Sequence, residues 1–519
     1  MAHTALKNHT NKNQRTGKEE ASRKMIPFAI LGTLGIITFL VFLLITPFAP
    51  KRTSIPAVPL WVSLYDACRG VSRLQFYKTR LQPLLDRHGA VFVWNAGRWT
   101  VLVTKPEYLM RMFRNEATVA KGGFYRKVPW GSFAMLFGEN IIDSHGPTWA
   151  QFSSIIKPGI QKPTDTEPVR VKSSQLARLL LDSQKSAPSG QGVMVDPLIQ
   201  RWAVAVYGTL FLDSEINCLD DAANPLENAL TAVKANVVGP IFSEFPILEK
   251  ASCLFPQRRR AIAAIKTFER LLIKHVDSWA ESPASEYSAS AEKEKLAHRL
   301  VRARNQNELT EFHYRSNLKM LTIAGHENVQ LALTSALWEI GVHQSVQGQL
   351  REEASKLPEN YTVHELDQLP YLTAVIYEVL RLYPPISQLI NRLTLEEFQL
   401  DTGISIPKGT WMGWNCYGVH TNPEFWGEFA TVFQPSRWGS DIESINSLFR
   451  RSQARGHFIP FNAHARKCPG SGFAIVQMKV ALVEILRKVS WTVDPTYHFS
   501  TTSRSVLAPR NCRLIFTPR

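Results

Sequence analysis

The chain has 519 residues, of which 45% are hydrophobic, 10% aromatic and 20% charged, with 28 Gly and 31 Pro. This ordinary globular composition excludes disorder, collagen and coiled coil over most of the length. Sixty Lys and Arg against 44 Asp and Glu give a net charge of +16, which suits an anionic membrane face, an acidic protein or nucleic acid. No recognised nucleic-acid-binding motif occurs, so we expect no nucleic acid partner. The six cysteines are widely spaced without a C-x-x-C pair, which favours a reducing compartment.

The N-terminal region predicts a membrane anchor. A polar basic lead occupies residues 1–24, and the anchor is assigned to residues 25–49. Within it, residues 28–46 carry no charge, and a helix of this length can span a hydrocarbon core of about 30 Å. The alternative, a cleaved signal peptide, lacks a small-residue cleavage site. Positive charge in the lead favours a cytoplasmic N-terminus, whereas the sequon at Asn8 could be glycosylated only in the lumen.

A proline-rich linker over residues 50–60 precedes a body that we assign to residues 61–519. Two runs of β-branched and aromatic residues, 91–94 and 99–104, predict a β-hairpin. Helical periodicity dominates from about 170 to 380, with a polar loop at 281–295. The sequence therefore predicts a mainly α fold with a small β component. Neither G-x-G-x-x-G nor G-x-x-x-x-G-K-[ST] occurs, so redox equivalents are expected from another protein.

The segment 321–330, LTIAGHENVQ, lies inside the helical run. It falls one residue short of the zinc signature H-E-x-x-H, because Gln330 stands at the second His. The alternative is that Ala324-Gly325 let a ligand approach the helix backbone. Glu327 and Asn328 would then place an acid and an amide beside that ligand.

The segment 369–385 combines an apolar stripe with Glu378 and Arg381, which lie three residues apart and point together off a helix. On the surface, such a pair would be worth under about 1 kcal/mol. Arg437 in FQPSRW offers a second guanidinium for the same carboxylate. If the three side chains are buried together, they form a fixed ionic lock.

The segment 458–474, FIPFNAHARKCPGSGFA, places Cys468 just before a predicted helix. Free N–H groups and the macrodipole at that helix N-terminus would lower the pKa of the Cys468 thiol and leave a thiolate. A buried, inert cysteine near a helix start fits this stretch equally well when it is considered alone.

These motifs occur in one order, and together they resemble the signature set of the cytochrome P450 family. The matching segments are Ala324-Gly325-x-Glu327, Glu378-x-x-Arg381, Pro435-x-Arg437-Trp438 and Phe461-x-x-x-x-Arg466-x-Cys468-Pro469-Gly470. The resemblance covers roughly residues 60–519, with a microsomal type of anchor and a composition most similar to fungal members. It implies a cytochrome P450-type fold and a haem b whose iron is bound axially by Cys468.

The resemblance also assigns roles to other residues. The haem would be held by Cys468, Arg466, Arg392, Trp149 and Phe461. The structural lock around the thiolate loop would comprise Glu378, Arg381 and Arg437. The residues over the oxygen-binding face, which would help to deliver protons, would be Glu327 and Asn328.

Three positions depart from the family pattern. His464 stands where the family usually has Gly, so a residue with a side chain must form a tight bend. Ser153 replaces the basic residue expected four positions after Trp149, and Lys157 could supply that contact instead. Asn328 replaces a hydroxyl residue and cannot copy it, which leaves the oxygen-activation step open.

We therefore expect a membrane-anchored haem-thiolate monooxygenase that oxidises a lipophilic small molecule in secondary metabolism. It would use O2 and electrons from NADPH through a separate flavoprotein reductase, with a b-type cytochrome as a second candidate donor. We expect a single-pass protein of the endoplasmic reticulum membrane with its catalytic domain on the cytosolic face. A candidate docking face for an acidic reductase comprises Arg450, Arg451, Arg455, Lys467 and Lys479. These residues would otherwise be a solvated charge run.

Two alternatives stay open. An isomerase, dehydratase or oxidative coupling enzyme of the same fold is suggested by Asn328, and a non-catalytic membrane-bound haem protein by His464. The substrate pocket is expected from residues 124–137, from the helix face around Ala324 and from residues 386–390, which are apolar or aromatic.

Overall fold

The structure is a computed structural model that describes residues 32, 34–38, 54–162, 164–280, 294–502 and 506–519. Residues 32 and 34–38 are helical. The rest of the predicted anchor, the basic lead with its sequon, and nearly all of the predicted loop at 281–295 lie outside the described residues. Within the described part of the chain, no helix combines the length and the apolar character needed to cross a membrane.

The body is mainly helical, in agreement with the sequence prediction. The α-helices, numbered from Leu60, are α1 (Leu60–Cys68), α2 (Arg73–Phe76), α3 (Gln82–His88), α4 (Pro106–Arg114), α5 (Phe124–Lys127), α6 (Ser132–Phe137), α7 (Gly146–Ile160), α8 (Thr166–Ser186), α9 (Asp196–Tyr207), α10 (Pro225–Val237), α11 (Pro240–Glu244), α12 (Pro256–Ala280), α13 (Leu296–Asn305), α14 (Glu311–Val342), α15 (Gln344–Ser355), α16 (Val363–Asp367), α17 (Pro370–Leu382), α18 (Cys416–His420), α19 (Pro423–Trp426), α20 (Ile442–Ala454) and α21 (Ser471–Lys488). Short 3₁₀ and π segments are Tyr77–Leu81, Gly208–Leu212, Pro246–Leu254, Pro435–Trp438 and His464–Arg466.

In the described part of the chain, the strands form three small sheets. They are β1 (Ala90–Asn95), β2 (Arg98–Val103), β3 (Val119–Lys121), β4 (Val193–Met194), β5 (Gln388–Thr394), β6 (Phe398–Asp401), β7 (Ile404–Ile406), β8 (Trp411–Asn415), β9 (Val489–Val493) and β10 (Arg513–Pro518). The larger sheet has the order β1-β2-β8-β5-β3, and two smaller sheets have the orders β4-β10-β9 and β6-β7.

The predicted hairpin is confirmed as the β1–β2 pair. The two strands are antiparallel, with Ala90 opposite Val103 and Asn95 opposite Arg98. The connecting Ala96 and Gly97 have φ values of 51° and 77°, which suit the two-residue turns that match the twist of a hairpin. β8 joins this hairpin in parallel and is buried along its whole length, as expected for a central strand.

The long helix α14 crosses the main hydrophobic core. Thr310 caps it by accepting a hydrogen bond from the His313 N–H at 3.1 Å. Side chains on all sides of the helix are buried, because α9, α13, α17 and α21 pack around it. The predicted helical run from about 170 to 380 is therefore confirmed, and its central member brings the segment 321–330 into the core.

Gly325 in α14 allows a close contact between two helices. A Cβ at this position would lie 2.5 Å from two ring carbons of Tyr207 at the end of α9. The sequence suggested that Ala324-Gly325 make room for a ligand, and the structure adds that the missing side chain at Gly325 makes room for an aromatic ring.

We expect Gly325→Ala to lower the free energy of unfolding by about 1–3 kcal/mol, because the buried Tyr207 ring must shift to admit a methyl group. Gly348→Ala is the matched control, since Gly348 is an exposed helical glycine of α15 with nothing within 4 Å of the added Cβ. The control should gain roughly 0.5–1 kcal/mol from helix propensity. Thermal or urea unfolding of both variants measures the difference, and equal effects would contradict the packing role.

Candidate active site

A largely apolar cavity lies between the middle of α14 and the segment that precedes α21. Leu321, Ala324 and Asn328 line it from α14, and Phe461 and Cys468 line it from the other side. Further apolar lining residues are Ile141, Ile142, Val329, Ala332, Leu380, Ile386 and Leu389. The cavity thus brings together two motifs that are more than a hundred residues apart in the sequence.

The predicted pocket segments are only partly correct. Residues around Ala324 and within 386–390 line the cavity, but no residue of 124–137 does. In that segment, Phe133 stacks against Phe124 and Phe137, and Lys319 of α14 donates to the carbonyl of Met135 at 3.0 Å. These contacts pack the segment onto itself and onto α14, and Ile141 and Ile142, which follow it in the chain, line the cavity instead.

The loop before Cys468 forms its bend without glycine. His464 adopts φ 55° and Asn462 φ 59°, both in the left-handed region that favours Gly. The loop closes where the Cys468 N–H donates to the Phe461 carbonyl at 2.8 Å. The departure from the family pattern at His464 therefore changes the residue but keeps a tight bend.

The Cys468 thiol lies in this loop three residues before α21 begins. Burial raises its pKa, opposed by the Gly470 N–H and by the charge of Lys467. The prediction that the helix N-terminus would lower the pKa is therefore wrong for the protein chain alone, because desolvation outweighs the nearby N–H group. A metal ion bound to the sulfur would reverse this balance, since a coordinating thiol loses its proton.

One end of the cavity carries an excess of positive charge. Arg466 and Lys121 line it, and Arg392 lies beside them with only 1% of its side chain exposed. Glu116 pairs with both arginines, and its Oε1 lies 2.8 Å from Nη1 of Arg466. Burial and the two arginines lower the pKa of Lys121 well below its usual value, and burial raises that of Asp143. An anionic group bound at this end would be stabilised by the excess positive charge.

The residues therefore fit a haem. The apolar walls suit a porphyrin, the buried sulfur suits an iron ligand, and the cationic end suits two carboxylates. The Nε of Arg392 is buried without a hydrogen-bond partner among the described residues. Such an unsatisfied donor is expected where a guanidinium binds an anionic ligand.

Trp149 of α7 lines the cationic end of the cavity. Its ring centroid lies 4.6 Å from Cζ of Arg466 and 4.6 Å from Nζ of Lys157. Lys157 also lines the cavity, whereas Ser153 does not. Lys157, one turn further along α7, thus places a cation in the cavity wall, which Ser153 does not do.

Glu327 and Asn328 diverge. Asn328 lines the cavity, and its Nδ2 donates to the Ala324 carbonyl at 3.4 Å. Glu327 does not line it, and its Oε1 lies 3.8 Å from Nζ of Lys234 on α10. Lys234 also donates to Gln330 at 3.0 Å. The amide therefore belongs to the cavity wall, and the carboxylate belongs to a polar cluster behind it.

The zinc alternative finds no support. His326 is fully buried, and its Nδ1 lies 2.6 Å from the Thr322 carbonyl of its own helix. Within the described ranges, no group of three or more His, Cys, Asp or Glu residues could hold a metal ion.

Glu378 is the centre of a buried ionic cluster on α17. Arg381 donates to both carboxylate oxygens at 2.8 Å, and Arg437 donates through Nε to Oε1 at 3.0 Å. Trp438 Nε1 and the Gln434 N–H complete the shell at 3.0 and 2.9 Å. Glu378 and Arg381 have no exposed side-chain surface. We call Glu378, Arg381 and Arg437 the lock.

The predicted basic docking face needs one correction. Lys479 is only 2% exposed, and it donates to Asp367 at 2.8 Å and to the Leu366 carbonyl at 3.2 Å. It lies on the core-facing side of α21, where its ammonium holds α16. Arg450, Arg451, Arg455 and Lys467 are exposed.

Three residues of the site were not recognised in the sequence: Glu116, Lys121 and His420. Lys121 is a charged residue in an apolar strand followed by two glycines, a pattern that could have indicated a buried functional cation. Glu116 and His420 give no such signal, because only the fold brings Glu116 to the arginines and His420 to the lock.

Comparison with known proteins adds an independent observation. A model of the cytochrome P450 family matches residues 58–516. Cytochrome P450 monooxygenase xanG of Aspergillus fumigatus is 41% identical over 490 residues, which cover 93% of this chain and 90% of the relative. Cytochrome P450-DIT2 of Saccharomyces cerevisiae is 31% identical over 487 residues, 92% of this chain and 96% of the relative. Cytochrome P450 4A10 of Mus musculus is 24% identical over 433 residues, 79% of each.

We expect Glu378→Gln to cost about 3–5 kcal/mol of unfolding free energy, because two guanidinium groups would be left without their counter-charge in the core. Asp182→Asn is the control, since it breaks an exposed pair in which Lys185 Nζ lies 2.9 Å from Oδ1; its cost should stay below about 1 kcal/mol. Urea unfolding of the purified proteins measures both. A Glu378→Gln protein as stable as the control would contradict the lock.

Proposed function

The chain belongs to the cytochrome P450 family and is an oxidoreductase of the monooxygenase type, and we propose that it is a membrane-anchored haem-thiolate monooxygenase of secondary metabolism that oxidises a lipophilic small molecule. Its cofactor would be haem b, and Cys468 would supply the sulfur that holds the iron. Its electrons come from NADPH through a separate flavoprotein reductase, with a b-type cytochrome as a second donor.

The observation that carries the proposal is the location of Cys468 in the wall of an apolar cavity, across from Asn328 and next to a cluster of buried cations. A haem held there by a cysteine sulfur would supply the activation of O2, by which one oxygen atom would enter a C–H bond of the substrate and the other would leave as water, with two electrons and two protons consumed. The same cavity therefore provides a metal ligand, room for an organic substrate and partners for carboxylates.

The chain's own residues have distinct tasks. Cys468 would hold the iron, and Arg392, Arg466 and Lys121 would hold the cofactor's carboxylates by charge-assisted hydrogen bonds. The apolar walls exclude water and select a lipophilic substrate. Trp149 packs against Arg466 and fixes the direction of that guanidinium.

Proton delivery is assigned to the polar cluster behind α14. A third of the Glu327 side chain is exposed to solvent, and Lys234 lies beside it. Asn328, the next residue, holds an amide in the cavity wall, where it can donate and accept hydrogen bonds. We propose that protons reach the cavity from Glu327 past Asn328.

Exposed apolar side chains support a membrane location. Trp61 of α1 is 68% exposed, and Ile241, Ile247 and Leu254 are 61%, 57% and 73% exposed. α1 and α11 both contact β1, so these residues come from neighbouring segments. We propose that this surface rests on the endoplasmic reticulum membrane, with the body on the cytosolic side and the segment 25–49 as a single-pass anchor.

Four exposed cations support the reductase partner. Arg450, Arg451 and Arg455 lie at the end of α20, and Lys467 precedes the iron ligand. A positive surface beside the cofactor would steer and dock an acidic electron donor.

A second candidate function follows from Asn328. Its amide cannot replace the hydroxyl group that the family pattern has at this position, so oxidative coupling, isomerisation or dehydration within the same cavity is an alternative to oxygen insertion.

The principal test is Cys468→Ala. We expect the variant to lose the thiolate-type absorption band of the reduced carbon monoxide complex, because alanine provides no sulfur ligand. Cys512→Ala is the control, since it removes a fully buried sulfur that does not line the cavity. If the wild-type protein binds no haem, or if Cys468→Ala keeps the thiolate-type band, the proposed cofactor site is wrong.

A second test separates oxygen insertion from the alternative. The wild-type protein with an NADPH-dependent reductase would be given a lipophilic metabolite extract of its host under isotopically heavy O2. Monooxygenation predicts products that carry one heavy oxygen atom and form only with NADPH, as detected by mass spectrometry. Coupling would give NADPH- or oxidant-dependent dimers without heavy oxygen, and isomerisation would proceed without NADPH.

A further inference from the structure

A fully buried histidine lies between the lock and the loop that leads to Cys468. His420 ends α18, and its ring and backbone both contact Arg381. The Arg381 Nη1 donates to the His420 carbonyl at 2.9 Å, and the ring Nδ1 lies 3.3 Å from the Arg381 carbonyl. On the other side of the ring, Nε2 lies 2.8 Å from the backbone nitrogen of Ile459. The ring therefore bridges α17 and the start of the cysteine loop.

These contacts fix the tautomer of His420. A backbone N–H can only donate, so Nε2 must be the unprotonated acceptor for Ile459, and Nδ1 must carry the proton toward the Arg381 carbonyl. Burial and the Arg381 charge lower the pKa of His420 to about 3, which keeps the ring neutral. Phe458 packs against the ring at a centroid distance of 4.9 Å. Each ring nitrogen thus has a backbone partner, and Sγ of Cys416 also lies 3.5 Å from Nε2.

Ile459 lies in the same loop as the residue that bonds the backbone of Cys468. Ile459, Pro460 and Phe461 line the cavity, and the Phe461 carbonyl accepts the hydrogen bond from the Cys468 N–H. The other backbone partners of the lock do not belong to the cysteine loop. Among the described residues, the remaining backbone groups that form hydrogen bonds with Arg381, Arg437 and Glu378 lie within 426–434. The His420 ring provides a hydrogen-bonded route from Arg381 to the segment 459–468.

We propose that His420 is a positioning residue, which ties the lock to the cysteine loop through the Ile459 N–H and thereby keeps the Cys468 sulfur aligned as an iron ligand. The inference rests on the proposed role of Cys468. It assigns a task to a residue that touches neither the substrate nor the cofactor cavity.

Three substitutions test which ring nitrogen matters. His420→Gln retains an acceptor near the Nε2 position, His420→Asn retains a donor near Nδ1 only, and His420→Phe retains the ring volume alone. Thr421→Val is the control, because it removes a neighbouring buried hydrogen bond, from Oγ1 to the Tyr417 carbonyl at 2.8 Å, that does not reach the loop. The readouts are the ratio of thiolate-type to thiol-type bands in the reduced carbon monoxide complex, hydrogen exchange of the Ile459 amide, and thermal unfolding.

We expect His420→Asn and His420→Phe to lower the thiolate-to-thiol ratio by about tenfold relative to the wild type, because each leaves the Ile459 N–H unsatisfied. Their Ile459 amide should exchange faster. His420→Gln and Thr421→Val should stay near the wild type in both measurements. If His420→Phe fails to fold, the comparison of His420→Asn with His420→Gln still decides the outcome.

Equal band ratios in His420→Asn and His420→Gln would overturn the inference, as would faster exchange at Ile459 with an unchanged ratio. A drop in melting temperature without either change would show that His420 only fills the core. Failure of the proposed function is distinguishable, because it would appear as a thiolate-type band that persists in Cys468→Ala, in which case the inference on His420 fails with it.

Discussion

The carboxylate of Glu378 is buried completely, and this single charge constrains much of the surrounding structure. An ionised carboxylate in a protein interior is tolerated only when its oxygens are fully hydrogen-bonded and its charge is balanced. Two guanidinium groups, an indole N–H and a backbone N–H satisfy that requirement around Glu378. Because Arg381 and Arg437 then donate to backbone carbonyls of 426–432, an irregular stretch of chain acquires one conformation. Hydrogen bonds from side chains thus fix the conformation of this irregular segment, which lacks regular backbone hydrogen bonding.

The candidate site places two electrostatic requirements in one apolar cavity. The Cys468 thiol resists ionisation because it is buried, and Lys121, Arg392 and Arg466 gather more positive charge than Glu116 and Asp143 balance. A cationic metal bound to the sulfur would favour the thiolate, and two carboxylates would offset the positive charge. One molecule that carries both groups would therefore meet both requirements. Glu116 pairs with both arginines, because an acid is needed to offset the repulsion between two neighbouring guanidinium groups.

Sequence patterns predicted the elements that depend on local spacing. The β1–β2 hairpin, the helical run and the proximity of Glu378 to Arg381 follow from periodicities of two and of three to four residues, which local geometry enforces. Long-range contacts did not follow. Lys479 was assigned to a surface because its charge is visible in the sequence and its burial against α16 is not. Glu327 was assigned to the cavity together with Asn328, although adjacent residues on a helix point in different directions. The pKa of Cys468 was predicted from the helix end alone, without the desolvation that the folded core adds.

His464 carries a last consequence, for how such proteins are found in genomes. The residue takes a left-handed backbone conformation that is usually reserved for glycine, at a modest energetic penalty of about 1 kcal/mol. A search pattern that demands glycine at this position would reject the chain, although its loop still makes a tight bend there. A search pattern based on backbone conformation would retain divergent members that a pattern based on residue identity discards.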